Sequence, residues 1–397
     1  MKNSAGIVFC GLLMSFLLHL SFKGREVPEY EAKKQETKLE PNFFKNMKYR
    51  GVVYDVGLKY SSEAYSVEQF SPESVAYDMS VIADRLHANA VRIEGEDIAR
   101  LVIATEAAHK AGLHVFFNPW KMNANADETV AYMKLAAIEA EKLRKKGINL
   151  VLVTGCEYSL FSKGVFPGET FNERVSWMIT YGGASHDPNK NPKMQEASKK
   201  LNIILAEICK EIRYHFKGQL TYASGTWEDV DWNLYDIVGV DLYRRGEPAE
   251  EYVGKLERFK LKKPLIVMEV GSCAYEGAAE KGDGGFTILQ GSNPDGTAIF
   301  AGGKVPVRSE KEQADYIETQ VNLLNKAGVD AVFVFVFAFP VMPYIGEGNL
   351  DYDMASFSLV KSFPKGHPKT KMIPNWEKKE AFDRLSKVYG KMSDANH

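Results

Sequence analysis

The chain has 397 residues, 45% of them hydrophobic and 26% charged. That balance is ordinary for a globular chain and excludes both a disordered tail protein and a polytopic membrane protein. Fifty Lys and Arg against 52 Asp and Glu leave a formal charge of −2, too weak a positive field for non-specific nucleic-acid binding. The length suits one α/β barrel of about 250 residues with long loops, or two medium domains.

The N-terminus reads as an address. Lys2 precedes an apolar run from Ile7 to Phe22, interrupted by Ser15, His19 and Ser21. The run is short against the ~20 residues of a spanning helix and fits a secretory signal peptide over residues 1–24, with a retained anchor as the alternative. The expected location is therefore outside the cytoplasm: periplasmic, extracellular or membrane-anchored, with any membrane tether confined to this segment. Residues 25–48 are rich in Lys and Glu and read as a charged linker. Of the four cysteines, Cys10, Cys156, Cys209 and Cys273, three remain after removal of the signal. An odd count without CxxC argues against a disulfide framework or a zinc site. The eight histidines form no HxH or HExxH. No metal or organic cofactor is expected.

From residue 49 to 393 short apolar runs alternate with amphipathic stretches. The runs are GVVYDVG (51–57), NAVRIEG (89–95), LHVFFNPW (113–120), INLVLVTGCE (148–157), QLTYAS (219–224), DIVGVDLY (236–243), KPLIVMEVG (263–271) and DAVFVFVFAF (330–339). Several are continuous rather than alternating, as in strands buried on both faces of a parallel sheet. Between them, Ser71-Pro72-Glu73 opens a helix, and Val75, Met79, Ile82 and Leu86 mark its apolar face. Gly112, Gly147, Gly218 and Gly328 end helical runs just before strands, where glycine supplies a left-handed cap. The connection 225–235 holds at most a short helix, and the stretch 378–391 is an eighth. Eight strands alternating with helices predict an α/β (β/α)8 TIM barrel with long loops after strands four (158–194) and seven (272–310). The second loop is glycine-rich and reads either as a mobile lid or as a surface loop.

Two glutamates stand where buried strands emerge: Glu157 on the fourth and Glu269 on the seventh. A carboxylate there costs several kcal/mol unless paired or hydrogen-bonded. Two carboxyls across a sugar are what glycoside hydrolysis requires. One protonates the leaving oxygen, and the other attacks the anomeric carbon or activates water. The acid must hold its proton near neutral pH, so burial and neighbouring charge should raise its pKa.

On these residues the chain resembles the large clan of retaining glycoside hydrolases built on (β/α)8 barrels, over about residues 50–390. The resemblance implies Glu157 as acid/base, Glu269 as nucleophile, and an oligo- or polysaccharide substrate. It further implies Arg92 of VRIEG as the arginine beside the nucleophile and Tyr243 of VDLY as the tyrosine that hydrogen-bonds it. Both side chains favour an ionised carboxylate. The chain departs from the clan at Cys156, where an Asn usually precedes the acid/base, and at Phe337-Ala338-Phe339-Pro340, where a Trp often ends strand eight. The motif GCEYSLF with the following FPGETFNER also resembles a barrel family labelled as abortive infection proteins.

Further candidates for substrate contact are weighed against ordinary packing. Trp120, in FFNPW, could stack on a sugar ring or pack in the core. Asn118 could bond a hydroxyl. Asp55 on strand one could bind a distal hydroxyl or be an ordinary polar strand end. Trp227 and Glu228 after strand five could line a subsite. Trp177 could be a platform or a loop anchor. Cys156 reads as packed rather than reactive. The alternatives to a hydrolase are a non-catalytic glycan-binding barrel and a transglycosylase on the same two glutamates.

Overall fold

The computed structural model describes residues 47–60, 64–182 and 191–394. The expected signal peptide and all but the end of the charged linker lie outside the described residues. Among the described residues, no helix is long and apolar enough to cross a membrane.

All eight apolar runs form strands: β1 (Tyr49–Asp55), β2 (Ala90–Gly95), β3 (His114–Pro119), β4 (Leu150–Cys156), β5 (Gln219–Ala223), β6 (Val238–Asp241), β7 (Leu265–Val270) and β8 (Ala331–Val334). Their neighbours pair in parallel in the order β5-β4-β3-β2-β1-β8-β7-β6. A single bridge, Ser224 to Val240, joins β5 to β6 and brings the ring round to its start. Gly239 makes that seam possible. A Cβ there would meet the Tyr222 carbonyl oxygen at 2.3 Å.

Helices cover the outside. They are α1 (Pro72–Asp84), α2 (Ile98–Lys110), α3 (Ala126–Lys145), α4 (Phe171–Gly182), α5 (Pro192–His215), α6 (Glu310–Lys326) and α7 (Glu380–Asp394). Ser71 caps α1 as expected, accepting from Ser74 N, and Val75, Met79 and Ile82 are buried against the barrel. Gly112, Gly147 and Gly328 take positive φ of 79°, 88° and 79°. Gly218 does not. α5 ends on extended Phe216 instead, and Gly218 is needed because a Cβ there would meet the Phe216 ring at 2.3 Å. After β6 the helical layer thins to a short helix, Ala249–Gly254. The glycine-rich loop after β7 is built around a hairpin, Leu289–Ser292 with Ala298–Phe300, and Phe300 is buried.

The core has two layers. Val53, Phe116, Val151, Met268 and Phe333 fill the barrel, while Val52, Ile93, Phe117 and Leu152 face the helices. At the floor the His114 ring stacks on Tyr49 at 4.4 Å, and burial pushes its pKa down to about 4. This packed floor leaves the opposite end, where the strands' C-termini emerge, as the place for a site.

The segment after β8 is anchored by charge. Buried Lys379 pairs with Asp353 at 3.2 Å, and Arg308 reaches Asp351, Asp353 and Glu310 at 2.7–2.9 Å. Its hairpin, Val360–Ser362 with Trp376–Lys378, is pinned to the barrel through Asp78.

Candidate active site

Strict alternation would send Glu269 outward with Val267. A register shift in β7 prevents this: Val240 of β6 faces Val267, but the next residue, Asp241, faces Glu269. The same device occurs in β4, where pairing with β5 slips between Val153 and Cys156. Such irregularities re-aim side chains at strand ends. Here they turn Cys156 and Glu269 into the barrel.

Arg92 lies at the centre of the mouth and is fully buried. Its Nη1 donates to Glu269 Oε1 at 2.9 Å and to the Met268 carbonyl at 3.1 Å. Its Nε donates to Asn118 Oδ1 at 2.8 Å, and its Nη2 lies 3.2 Å from Glu94 Oε2. The Tyr243 hydroxyl donates to Glu269 Oε2 at 2.9 Å. Both carboxylate oxygens of Glu269 are thus held by donors from β2 and from the end of β6.

Glu157 follows β4 in a left-handed conformation, φ 43° and ψ 47°. For a residue with a Cβ that geometry costs ~1–3 kcal/mol and persists only when its surroundings over-determine it. They do so here. Glu157 N donates to the Ala223 carbonyl at 2.8 Å, and Tyr158 N donates to the Tyr222 hydroxyl at 2.7 Å. Ser159 donates to Glu228 Oε1 through N at 3.0 Å and Oγ at 2.6 Å. The Glu157 carboxyl is half-buried. Burial, then the negative fields of Asp241, Glu269 and Glu228, push it well above the usual carboxylate range.

Cys156 donates weakly toward Asp241 Oδ2 and Glu269 Oε1, each at 3.5 Å. Burial and those carboxyls push its thiol up, so it is a protonated donor, not a nucleophile. Ligand atoms of Cys156, Asp241 and Glu269 all lie within 4.8 Å of one another, a spacing that could hold a metal ion. Arg92 Nη1, 2.9 Å from Glu269 and 3.9 Å from Asp241, already supplies a cation there.

The expected substrate-binding residues divide. Asn118 is buried beside the pair as the acceptor for Arg92. Trp120 stands at the mouth with its ring edge-on to Phe161 at 4.9 Å. Its Nε1 is buried and has no hydrogen-bond partner among the described residues. The others are committed to structure. Asp55 accepts from Gly57 N at 2.6 Å and Ser66 Oγ at 2.5 Å, so it anchors the loop after β1. Glu228 accepts from Ser159, Tyr222 and Gly225, and Trp227 donates its indole N–H to Ser159 Oγ at 3.0 Å. Glu228 and Trp227 therefore brace the turn that carries Glu157 and do not present free groups to a subsite. Trp177 packs on Phe166 and Tyr181 in the helical layer, apart from the strand-end glutamates.

Sequence reasoning missed Glu94 and Asp241 as members of the constellation, although both were findable. Glu94 lies two residues from Arg92 on β2, where residues two apart share a face, and Asp241 ends β6 two residues before Tyr243. Tyr60, which completes the rim against Phe339 and Phe161, carried no such signal.

No protein-family model matches this chain, and no curated protein does. Solved structures match at low identity. A GH113 β-1,4-mannanase is 14% identical over 87% of this chain and 99% of its own, with a TM-score of 0.54. A GH113 β-mannanase from Alicyclobacillus acidocaldarius, in complex with ManMIm, is 13% identical over 88% and 99%, with a TM-score of 0.50. A GH5_18 protein from Streptomyces cattleya, in complex with GlcNAc, is 12% identical over 87% and 81%, with a TM-score of 0.50. The chain has the (β/α)8-barrel fold of these glycoside hydrolases.

Proposed function

We propose that the protein is a glycosidase acting on an oligo- or polysaccharide by retaining double displacement. The observation that carries this reading is the pair at the mouth: Glu269 with a donor on each oxygen, and Glu157 close enough to feel its charge, with its own pKa pushed up. Glu157 gives its proton to the glycosidic oxygen as the bond from that oxygen to the anomeric carbon breaks. Glu269 attacks the same carbon and forms a glycosyl ester. Glu157, now ionised, takes a proton from water. The water oxygen bonds to the anomeric carbon, and the electron pair of the ester bond returns to Glu269. Arg92 and Tyr243 hold the leaving carboxylate in that second step. The N-terminal segment supports export to a compartment where such substrates are met.

The test is turnover on a panel of aryl glycosides and polysaccharides, with Glu269→Gln and Glu157→Gln beside the wild type. Loss of ~10²-fold or more in each variant is expected, general acid catalysis alone being worth about 10²–10⁴. A 2-deoxy-2-fluoro glycoside should leave a covalent sugar on the peptide containing Glu269. Wild-type turnover in Glu269→Gln would reject the assignment. Binding without turnover in the wild type would favour a glycan-binding barrel, the reading to which Cys156 beside Glu157 lends weight.

A further inference from the structure

The connection between β8 and α7 concentrates positive charge. Residues 361–379 hold six lysines and one acid, Glu377, in a chain whose formal charge is −2. Lys361 and Lys379 belong to the buried ion network, pairing with Glu310 and Asp353, and Lys378 pairs with Asp383 of α7. Lys365, Lys369 and Lys371 lie on a built turn between the two hairpin strands. There Phe363 and His367 stack at 4.6 Å, and Tyr344 meets Phe363 edge-on at 6.4 Å. His367 Nδ1 accepts from Lys369 N at 3.1 Å, and Met372 N donates to the Lys369 carbonyl at 3.0 Å. These contacts fix the turn and leave Met372 and Ile373 projecting, 54% and 50% exposed. Exposed apolar residues scattered singly need no explanation, but two side by side on a fixed, lysine-bearing turn do. Lys371 is exposed with no ion-pair partner among the described residues. Lys365 and Lys369 reach Glu68 and Glu377 at 3.2 and 3.7 Å, pairs with exposed carboxyls that exchange readily for another anion.

We propose that this turn docks on an anionic lipid bilayer, with Met372 and Ile373 entering the headgroup layer and Lys365, Lys369 and Lys371 meeting lipid phosphates. The surface is separate from the N-terminal apolar segment, and the inference does not rest on the glycosidase reading. Apolar side chains flanked by lysines suit an interface that is apolar within and negatively charged at its face. A soluble polyanion would satisfy the lysines and leave the apolar pair in water. An apolar protein groove would take the pair and leave the lysines without counter-charge. An anionic bilayer answers both. Asp295 and Glu347 are exposed on the neighbouring connections, so the contact is confined to this turn. The connection leaves β8 at the end of the barrel that carries Glu157 and Glu269, and Lys365 reaches Glu68 in the connection after β1. Docking therefore turns the mouth's end of the barrel toward the lipid surface.

The test places a nitrobenzoxadiazole dye on the turn of the full chain, through Ile373→Cys in a Cys10→Ser background; Cys156, Cys209 and Cys273 are buried and escape labelling. The dye reports the turn itself, whatever the N-terminal segment does. Vesicles are phosphatidylcholine alone, or with about one phosphatidylglycerol in three lipids. Emission should move to the blue and brighten with the anionic vesicles alone, and high salt should reverse the change. Lys371→Gln in the labelled chain should weaken the apparent vesicle affinity about fivefold, the worth of one lysine near a charged surface. Met372→Ser should weaken it severalfold. The same dye on α3, through Leu135→Cys, should not respond, since Leu135 is equally exposed but lies away from the turn. Unchanged emission at position 373 with anionic vesicles would overturn the inference. So would an equal response at position 135, or an equal response to soluble polyphosphate. A blue shift that grows with protein concentration in the absence of lipid would put a second copy of the chain on the turn and overturn it as well.

Discussion

Asp78 offers the sharpest quantitative test of the structure, away from the chemistry. It lies on α1, buried, and accepts from Tyr54 OH and Trp376 Nε1, each at 2.8 Å. One bond ties it to β1 and the other to the hairpin before α7. Burial raises its pKa from the ordinary 3.8 to about 6, the two bonds opposing. Between those values the folded protein holds a proton that the unfolded chain has lost. Stability is therefore fully present well below pH ~4 and declines as pH rises through ~6. At about 1.4 kcal/mol per pH unit the loss from this one group is about 3 kcal/mol. Asp78→Asn removes the titration. Its amide oxygen can accept from Trp376, and its amide N–H can donate to the Tyr54 oxygen. Urea denaturation of both proteins at pH 4, 5, 6 and 7 gives the stability difference at each pH. The variant should gain on the wild type by about 2.4 kcal/mol between pH 4 and pH 7, part of the loss already lying below pH 4. Other buried acids, Asp55 among them, act equally on both proteins and cancel in the difference. A difference that stays flat with pH would refute the buried, raised carboxyl.

The remaining predictions concern the site and the ring. Glu228→Gln removes one of the negative charges that raise Glu157, so the basic limb of the pH–rate profile should move to lower pH. A purely structural role for Glu228 would lower the rate and leave that limb in place. Gly239→Ala forces a Cβ to 2.3 Å from the Tyr222 carbonyl and should cost ~1–3 kcal/mol, read from the urea midpoint; a stability within 0.5 kcal/mol of wild type, a rough limit for harmless surface changes, would show that the β5–β6 seam is not tight.

Cys156 shows how the site can be half legible. In the linear chain it is a departure from the expected Asn. In space it is the weak donor shared by Asp241 and Glu269. Glu228 shows the reverse. Its position after a strand suggested a subsite, yet its carboxylate is saturated by donors from the turn it supports. A residue's place on a strand end is readable, but whether its polar atoms are already occupied depends on which distant segments arrive beside it.

Local pattern was enough for the eight strands, the capped start of α1, the glycine stops at 112, 147 and 328, and the two glutamates, because each depends on neighbours a few residues away. The register shifts in β4 and β7 were beyond its reach. They arise from how adjacent strands pair around the ring, and they turn Glu269 inward against its own alternation. The meeting of Arg92 with Glu269, 177 positions apart, is likewise a product of barrel closure. So is the meeting of three buried carboxyls around one guanidinium, since which charges share a buried site is a property of the assembled volume and not of any segment.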